Sequence, residues 1–122
     1  MKNDLSFMIA NRMNLYEHQS TYSPNMPIRG LIYFSRQYEG ILAEWKENVY
    51  GSRRIKLPTP EYVIFYNGTK KQQDRTELYL SDSFEAGRGS GCLECKAVML
   101  KIKTRSRVLV PDSGRLCRKY TL

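Results

Sequence analysis

A hairpin, one long amphipathic helix and a continuous apolar run, in that order, predict an α/β domain built on a mixed sheet. Residues 5–9 and 13–19 are short, apolar-rich and separated by Ala10-Asn11-Arg12, which reads as a β-hairpin. Residues 27–48, with Val49 beyond, place Ile28, Leu31, Ile32, Tyr38, Ile41, Leu42 and Trp45 at three- and four-residue steps. That is the stripe of a helix packed on a sheet. Glu61-Tyr62-Val63-Ile64-Phe65-Tyr66 is apolar almost throughout, as suits a central strand covered on both faces. Strand, helix, strand is a βαβ unit, so the strands flanking the helix are expected to run parallel.

The punctuation agrees with that layout. Ser23-Pro24-Asn25-Met26-Pro27 signals a loop and a helix start, with Asn25 placed to cap and Pro27 early in the first turn. Gly51 lies just past the expected helix end. Leu57-Pro58-Thr59-Pro60 breaks the chain before the apolar run, and Asn67-Gly68 ends that run. Residues 67–91 are polar and contain glycines, a loop with a short strand at 76–80, and residues 92–102 are the last strand candidate. Ile28, Leu31, Leu42 and Trp45 are expected to pack on strand 61–66, with Trp45 buried.

A chain of 122 residues supports one core, so any site is built on it. A formal charge of +8 points to a polyanionic partner. Its distribution is uneven: residues 101–122 hold seven basic side chains against one acid, whereas residues 1–100 hold thirteen against eleven. The division is therefore a domain over 1–102 and a basic tail over 103–122. No apolar run approaches the ~20 residues of a membrane span, and the N-terminus lacks the layout of a signal peptide. The expected partners exclude a membrane, and the expected location is cytoplasmic. The cysteines Cys92, Cys95 and Cys117 are odd in number, against a closed disulfide framework. Cys92 and Cys95 have the spacing of half a zinc site that His18 and Cys117 would complete on paper. A structural zinc site normally shows two close-spaced ligand pairs, so reduced thiols in a half-buried strand are the better reading.

The hairpin carries the chemistry. Strand side chains alternate between faces, so Glu17 and Gln19 share one and His18 takes the other. With Ala10-Asn11 as a two-residue turn, Asp4 falls directly opposite Glu17, which puts their Cβ atoms ~5 Å apart. A three-residue turn would instead pair Asp4 with His18. Two carboxylates at that distance repel unless a cation sits between them. A hard divalent ion such as Mg²⁺ suits one or two carboxylates and keeps waters for substrate phosphate. Gln19, being neutral, can hydrogen-bond and orient. The alternative is that Asp4, Glu17 and Gln19 are ordinary residues of a solvated sheet face.

Glu17-His18-Gln19-Ser20-Thr21, then Met26-Pro27-x-Arg29-Gly30, then Val63-Ile64-Phe65-Tyr66-Asn67-Gly68 resemble the recombination-promoting nuclease family, which is transposase-related and belongs to the PD-(D/E)XK nuclease superfamily. The resemblance runs over residues 3–99. It implies a partial PD-(D/E)XK restriction-endonuclease-like core and a Mg²⁺-dependent DNA endonuclease, with Mn²⁺ as the alternative ion, linked to recombination or mobile elements. Asn3-Asp4-x-x-Phe7 resembles the segment bearing the family's metal-binding Asp, Glu17 matches its second acid, and Gln19 stands where many superfamily members have Lys. Asp4, Glu17 and Gln19 are thus the implied catalytic residues, with Asp4 and Glu17 the metal ligands. The resemblance also implies a truncated member, because relatives carry a helix and a strand ahead of the Asp. The match is lost from Lys101 onward, where the composition turns basic, as a frameshifted gene would produce.

Three readings follow: a metal-dependent nuclease, a catalytically inactive transposase-derived remnant that binds nucleic acid through its basic tail and the helix-end cluster Arg53, Arg54 and Lys56, and a small interaction domain. Metal dependence separates the first from the others.

Overall fold

A two-residue turn closes the hairpin. In the computed structural model, which describes residues 4–9 and 11–102, strand β1 (Asp4–Ile9) pairs antiparallel with β2 (Arg12–Gln19), from Ile9 opposite Arg12 to Asp4 opposite Glu17. Asn11 takes a left-handed φ of 64°, the conformation that primed hairpin turns require and that Asn tolerates best after Gly. The chain then crosses through helix α1 (Met26–Glu44) to strand β3 (Thr59–Tyr66), which lies parallel to β2. Glu17 is in register with Ile64, and Gln19 with Tyr66.

The remaining chain extends the sheet on the far side of β3. Strand β4 (Arg75–Tyr79) forms an edge, and β5 (Lys96–Lys101) inserts between it and β3, parallel to β3 and antiparallel to β4. The order is β1-β2-β3-β5-β4, a five-stranded mixed sheet with one helix. The expected α/β class and the parallel crossover are both present. Strand β3 carries apolar side chains on both faces, with Tyr62, Ile64 and Tyr66 toward the helix and Val63 and Phe65 away from it.

The helix packs on a face rotated from the expected stripe, which keeps Tyr38 and Ile41 on the core and leaves Ile32 and Trp45 outside it. Its buried residues are Met26, Pro27, Gly30 and Phe34, with Tyr33, Tyr38 and Ile41 joining the core. Ile28, Leu31 and Leu42 are half-buried, and Ile32 and Trp45 are exposed. The cause lies at Gly30, where a Cβ would sit 2.7 Å from ring carbons of Tyr62. The helix backbone rests on that ring, and the tightest contact is made by the residue with no side chain. Phe34 then meets Tyr62 edge-on, centroids 6.1 Å apart at 87°, a favourable aromatic geometry.

The helix also ends earlier than expected. Lys46 adopts a left-handed φ of 56°, its N–H donates to Ala43 O, and the Glu47 N–H donates to Leu42 O. That double bond pattern is a Schellman motif. It stops the helix at Glu44, and Gly51 belongs to the next turn, where its N–H donates to Asn48 O. Asn25 holds the N-cap position without a side-chain cap bond.

The last strand starts at Lys96 and not at Cys92. Glu94 folds back, its carboxylate accepting the Ser81 N–H at 3.0 Å, the Ser81 hydroxyl at 2.7 Å and the Cys95 N–H at 3.1 Å. Cys92 is therefore an exposed loop thiol and Cys95 a half-buried one. Burial pushes the Cys95 thiol above its ordinary pKa. Among the described residues no helix is long and apolar enough to cross a membrane. The tail over 103–122 lies outside the described residues.

Candidate active site at the end of strand β2

Strand parity puts Met13, Leu15, Glu17 and Gln19 on the helix-facing side of β2, and all four are buried. The first two belong to the core. Glu17 is a carboxylate in the same apolar layer, only 5% exposed. A buried charge is tolerated only when paired and hydrogen-bonded, and Glu17 is both. The Tyr62 hydroxyl donates to Oε2 at 2.6 Å, and the Arg29 guanidinium approaches Oε1 at 2.7 Å. Tyr62 reaches it because β3 runs parallel to β2 in a register that sets Tyr62 two residues before the partner of Glu17. Arg29 reaches it from the first turn of α1.

Gln19 sits one step further along the same face. Its Nε2 donates to the Met26 sulfur at 3.0 Å, a site shared with Arg29 Nη1 at 3.3 Å. Thioether sulfur is a weak acceptor. Gln19 Oε1 is buried and has no hydrogen-bond partner. Turning the amide over does not help, since it exchanges an orphaned acceptor for an orphaned donor. A buried orphan of this kind costs about 1–3 kcal/mol, so the position is out of balance as it stands.

Asp4 completes the arrangement by register. Its backbone lies directly across from Glu17, and its side chain lies outside the described atoms. His18 is half-buried on the opposite face, as parity requires. The zinc set fails on this geometry. Cys95 Sγ lies on the helix side, 3.5 Å from a Cβ placed on Gly30, while His18 points to the other side of the sheet. Cys117 lies outside the described residues. Among the described residues no three His, Cys, Asp or Glu side chains gather in a group able to hold a metal.

Three contributors are invisible to strand spacing: Arg29, Tyr62 and Met26. Their signal was available only in part. The register that sets Tyr62 under Glu17 depends on a crossover whose geometry sequence spacing does not contain.

A second polar cluster surrounds the 3-10 turn Leu80–Ser83. Arg88 makes a bidentate pair with Asp82 at 2.9 and 2.7 Å and lies 4.6 Å over the Tyr79 ring. The Gly89 N–H donates to Ser81 Oγ at 3.0 Å. Bonds from the Ser81 hydroxyl hold the Glu94 carboxyl below its ordinary range, and the Arg88 side chain does the same for Asp82. Every charge here is satisfied by a neighbour, so the cluster pins a loop and offers no free chemistry.

No protein-family model matches the chain, and neither does any curated protein or solved structure.

Proposed function

We propose that this chain is a cytoplasmic Mg²⁺-dependent DNA endonuclease of the recombination-promoting type, with a PD-(D/E)XK-like core, in which Asp4 and Glu17 hold the ion and Gln19 completes the site. The observation that carries the reading is the orphaned Gln19 Oε1 beside Glu17, on the strand face where register sets Asp4 opposite. A carbonyl oxygen and carboxylates are the hard donors that Mg²⁺ takes. An ion bound there would lower the pKa of its water and neutralise phosphate charge.

The chain's own residues do the rest. Glu17 and Asp4 supply negative charge that needs a cation. Arg29 supplies one cation, with its side chain 40% exposed against 6% for Glu17. Its partly exposed, planar fork is of the kind that suits a phosphate. The Tyr62 hydroxyl fixes Oε2 and so orients the carboxylate.

One observation favours a second reading. Glu17 is already paired with Arg29 and hydrogen-bonded by Tyr62, which fits a catalytically inactive transposase-derived remnant whose old metal site has closed. Cleavage of supercoiled plasmid in Mg²⁺ decides between them. The nuclease reading expects nicking by the wild type that EDTA, Asp4→Asn and Glu17→Gln each abolish, with Gln19→Lys milder. Nicking that survives both acid substitutions, or a folded wild type that never nicks, would reject it.

A further inference from the structure

We infer that the loop following α1, residues 45–57, is a stacking site for single-stranded DNA, separate from the carboxylate site. Among the described residues six large hydrophobic side chains are exposed, and four of them fall in this segment: Trp45 at 46%, Val49 at 55%, Tyr50 at 94% and Leu57 at 41%. Scattered exposed apolar residues need no explanation, but a cluster marks a binding surface. The same stretch carries Lys46, Arg53, Arg54 and Lys56 against one acid, Glu47, a net +3. All four cations are exposed. Arg53 pairs with Glu47, whereas Lys46, Arg54 and Lys56 meet no acid among the described residues.

The loop presents these groups on a fixed frame. The Tyr50 N–H donates to Asn48 Oδ1 at 3.0 Å, the Gly51 N–H to Asn48 O at 3.1 Å, and the Tyr38 hydroxyl to Pro58 O at 2.7 Å. The Tyr50 backbone is thus fixed by a closed turn, with its ring exposed. Aromatic rings interleaved with cations are how proteins take up single strands: the rings stack on bases, and the cations track the phosphates. A duplex keeps its base faces covered and would use only the cations. A protein partner would leave the net +3 unanswered unless it were acidic.

The position sets the relation to the carboxylate site. The loop follows the C-terminal end of a 19-residue helix whose first turn holds Arg29, so Trp45 lies about 24 Å along the helix axis from Arg29. The choice of DNA over RNA rests on the nuclease reading. The stacking itself does not.

Trp45 is the only tryptophan, so its emission reports on this loop directly. The full chain is titrated in EDTA with an oligo-dT of about 15 nucleotides, within the site sizes of such surfaces. The expected result is saturable quenching, weakened about 5- to 150-fold by Tyr50→Ala and retained by Tyr50→Phe. Arg54→Gln with Lys56→Gln should reduce the salt slope by about 1.4. Asp4→Asn and Glu17→Gln should leave the titration unchanged, so failure of the nuclease reading and failure of this one are seen separately. Equal affinity of Tyr50→Ala and wild type would overturn the inference. So would a duplex of the same length binding as tightly, poly-glutamate competing as well as oligo-dT, or tighter binding of oligo-U.

Discussion

At its first turn α1 helps to bury charge, and just past its last turn the chain exposes rings and cations. The N-terminal end pairs Arg29 with the buried Glu17 and sets the Met26 sulfur against Gln19, in a layer continuous with the core. The C-terminal end releases Trp45 and Tyr50 into solvent among four basic side chains. Sequence periodicity treats both ends alike, as one apolar stripe. The difference shows that burial along this helix is set by closeness of approach at Gly30, not by the number of aliphatic positions. A carboxylate inside and a tryptophan outside are both departures from what residue type favours, and such departures gather where a protein binds something.

The largest expected effect is at the buried end. Arg29→Met removes the cation and leaves a buried carboxylate that keeps its Tyr62 hydrogen bond. Breaking a buried pair costs about 3–5 kcal/mol, and with Arg29 itself partly solvated about 2–3 kcal/mol is expected in urea unfolding. Adding Glu17→Gln should recover part of that loss, because the uncompensated charge is gone. No recovery in the double variant would show that Arg29 acts by packing and not by charge.

Next is Gly30→Ala. The added methyl gains ~1 kcal/mol of helix propensity but meets the Tyr62 ring at 2.7 Å, a ring held by its bond to Glu17 and by Phe34. Overpacking of this kind costs about 1–3 kcal/mol, so a net destabilisation near 1 kcal/mol is expected. A gain in melting temperature would mean that the helix can lift off the sheet freely.

At the exposed end the effects are smaller. Had Trp45 been buried, truncation to Ala would cost about 3–5 kcal/mol. At 46% exposed, Trp45→Ala should shift stability by less than ~1 kcal/mol. A larger loss would erase the contrast between the two ends.

The smallest effect is acid loosening of the loop pinned by Glu94 and Asp82. Both carboxyls titrate below their ordinary values in the folded chain, so their support is present above the unfolded carboxylate pKa near 4 and is lost as pH falls through the folded values. Amide exchange at Gly89 and Cys95, corrected for intrinsic rates, should show weaker protection below about pH 4 than at pH 6. Protection that is flat across that range would separate the loop from its carboxylates.

Much of the site was legible because strands are simple. Two-residue parity alone puts Glu17 and Gln19 on one face and His18 on the other, and of the two turn lengths the sequence left open the two-residue one, which sets Asp4 opposite Glu17, is the one present. The central strand was legible from its unbroken apolar run. The helix face was not, since a contact made by glycine leaves no apolar mark, and Ile28, Leu31 and Leu42 outweigh it in any count. Trp45 was misplaced for the same reason, and the helix end because Lys46 supplies a left-handed turn usually given to glycine. The insertion of β5 between β3 and β4 is a long-range pairing, and just before β5 starts Glu94 reaches Ser81 across thirteen residues. No local pattern encodes such a contact.

The central claim is that Asp4, Glu17 and Gln19 form a cation site in which Arg29 stands as the resident counter-charge. Calorimetric titration with Mn²⁺ tests it most directly, using wild type, Glu17→Gln, Asp4→Asn and Arg29→Gln, each first shown to be folded. One ion per chain is expected in the wild type, with loss of binding in both acid variants and tighter binding in Arg29→Gln, where the competing guanidinium is gone. Equal affinity in all four proteins, or a folded wild type that takes up no ion while Arg29→Gln takes up none either, would contradict it.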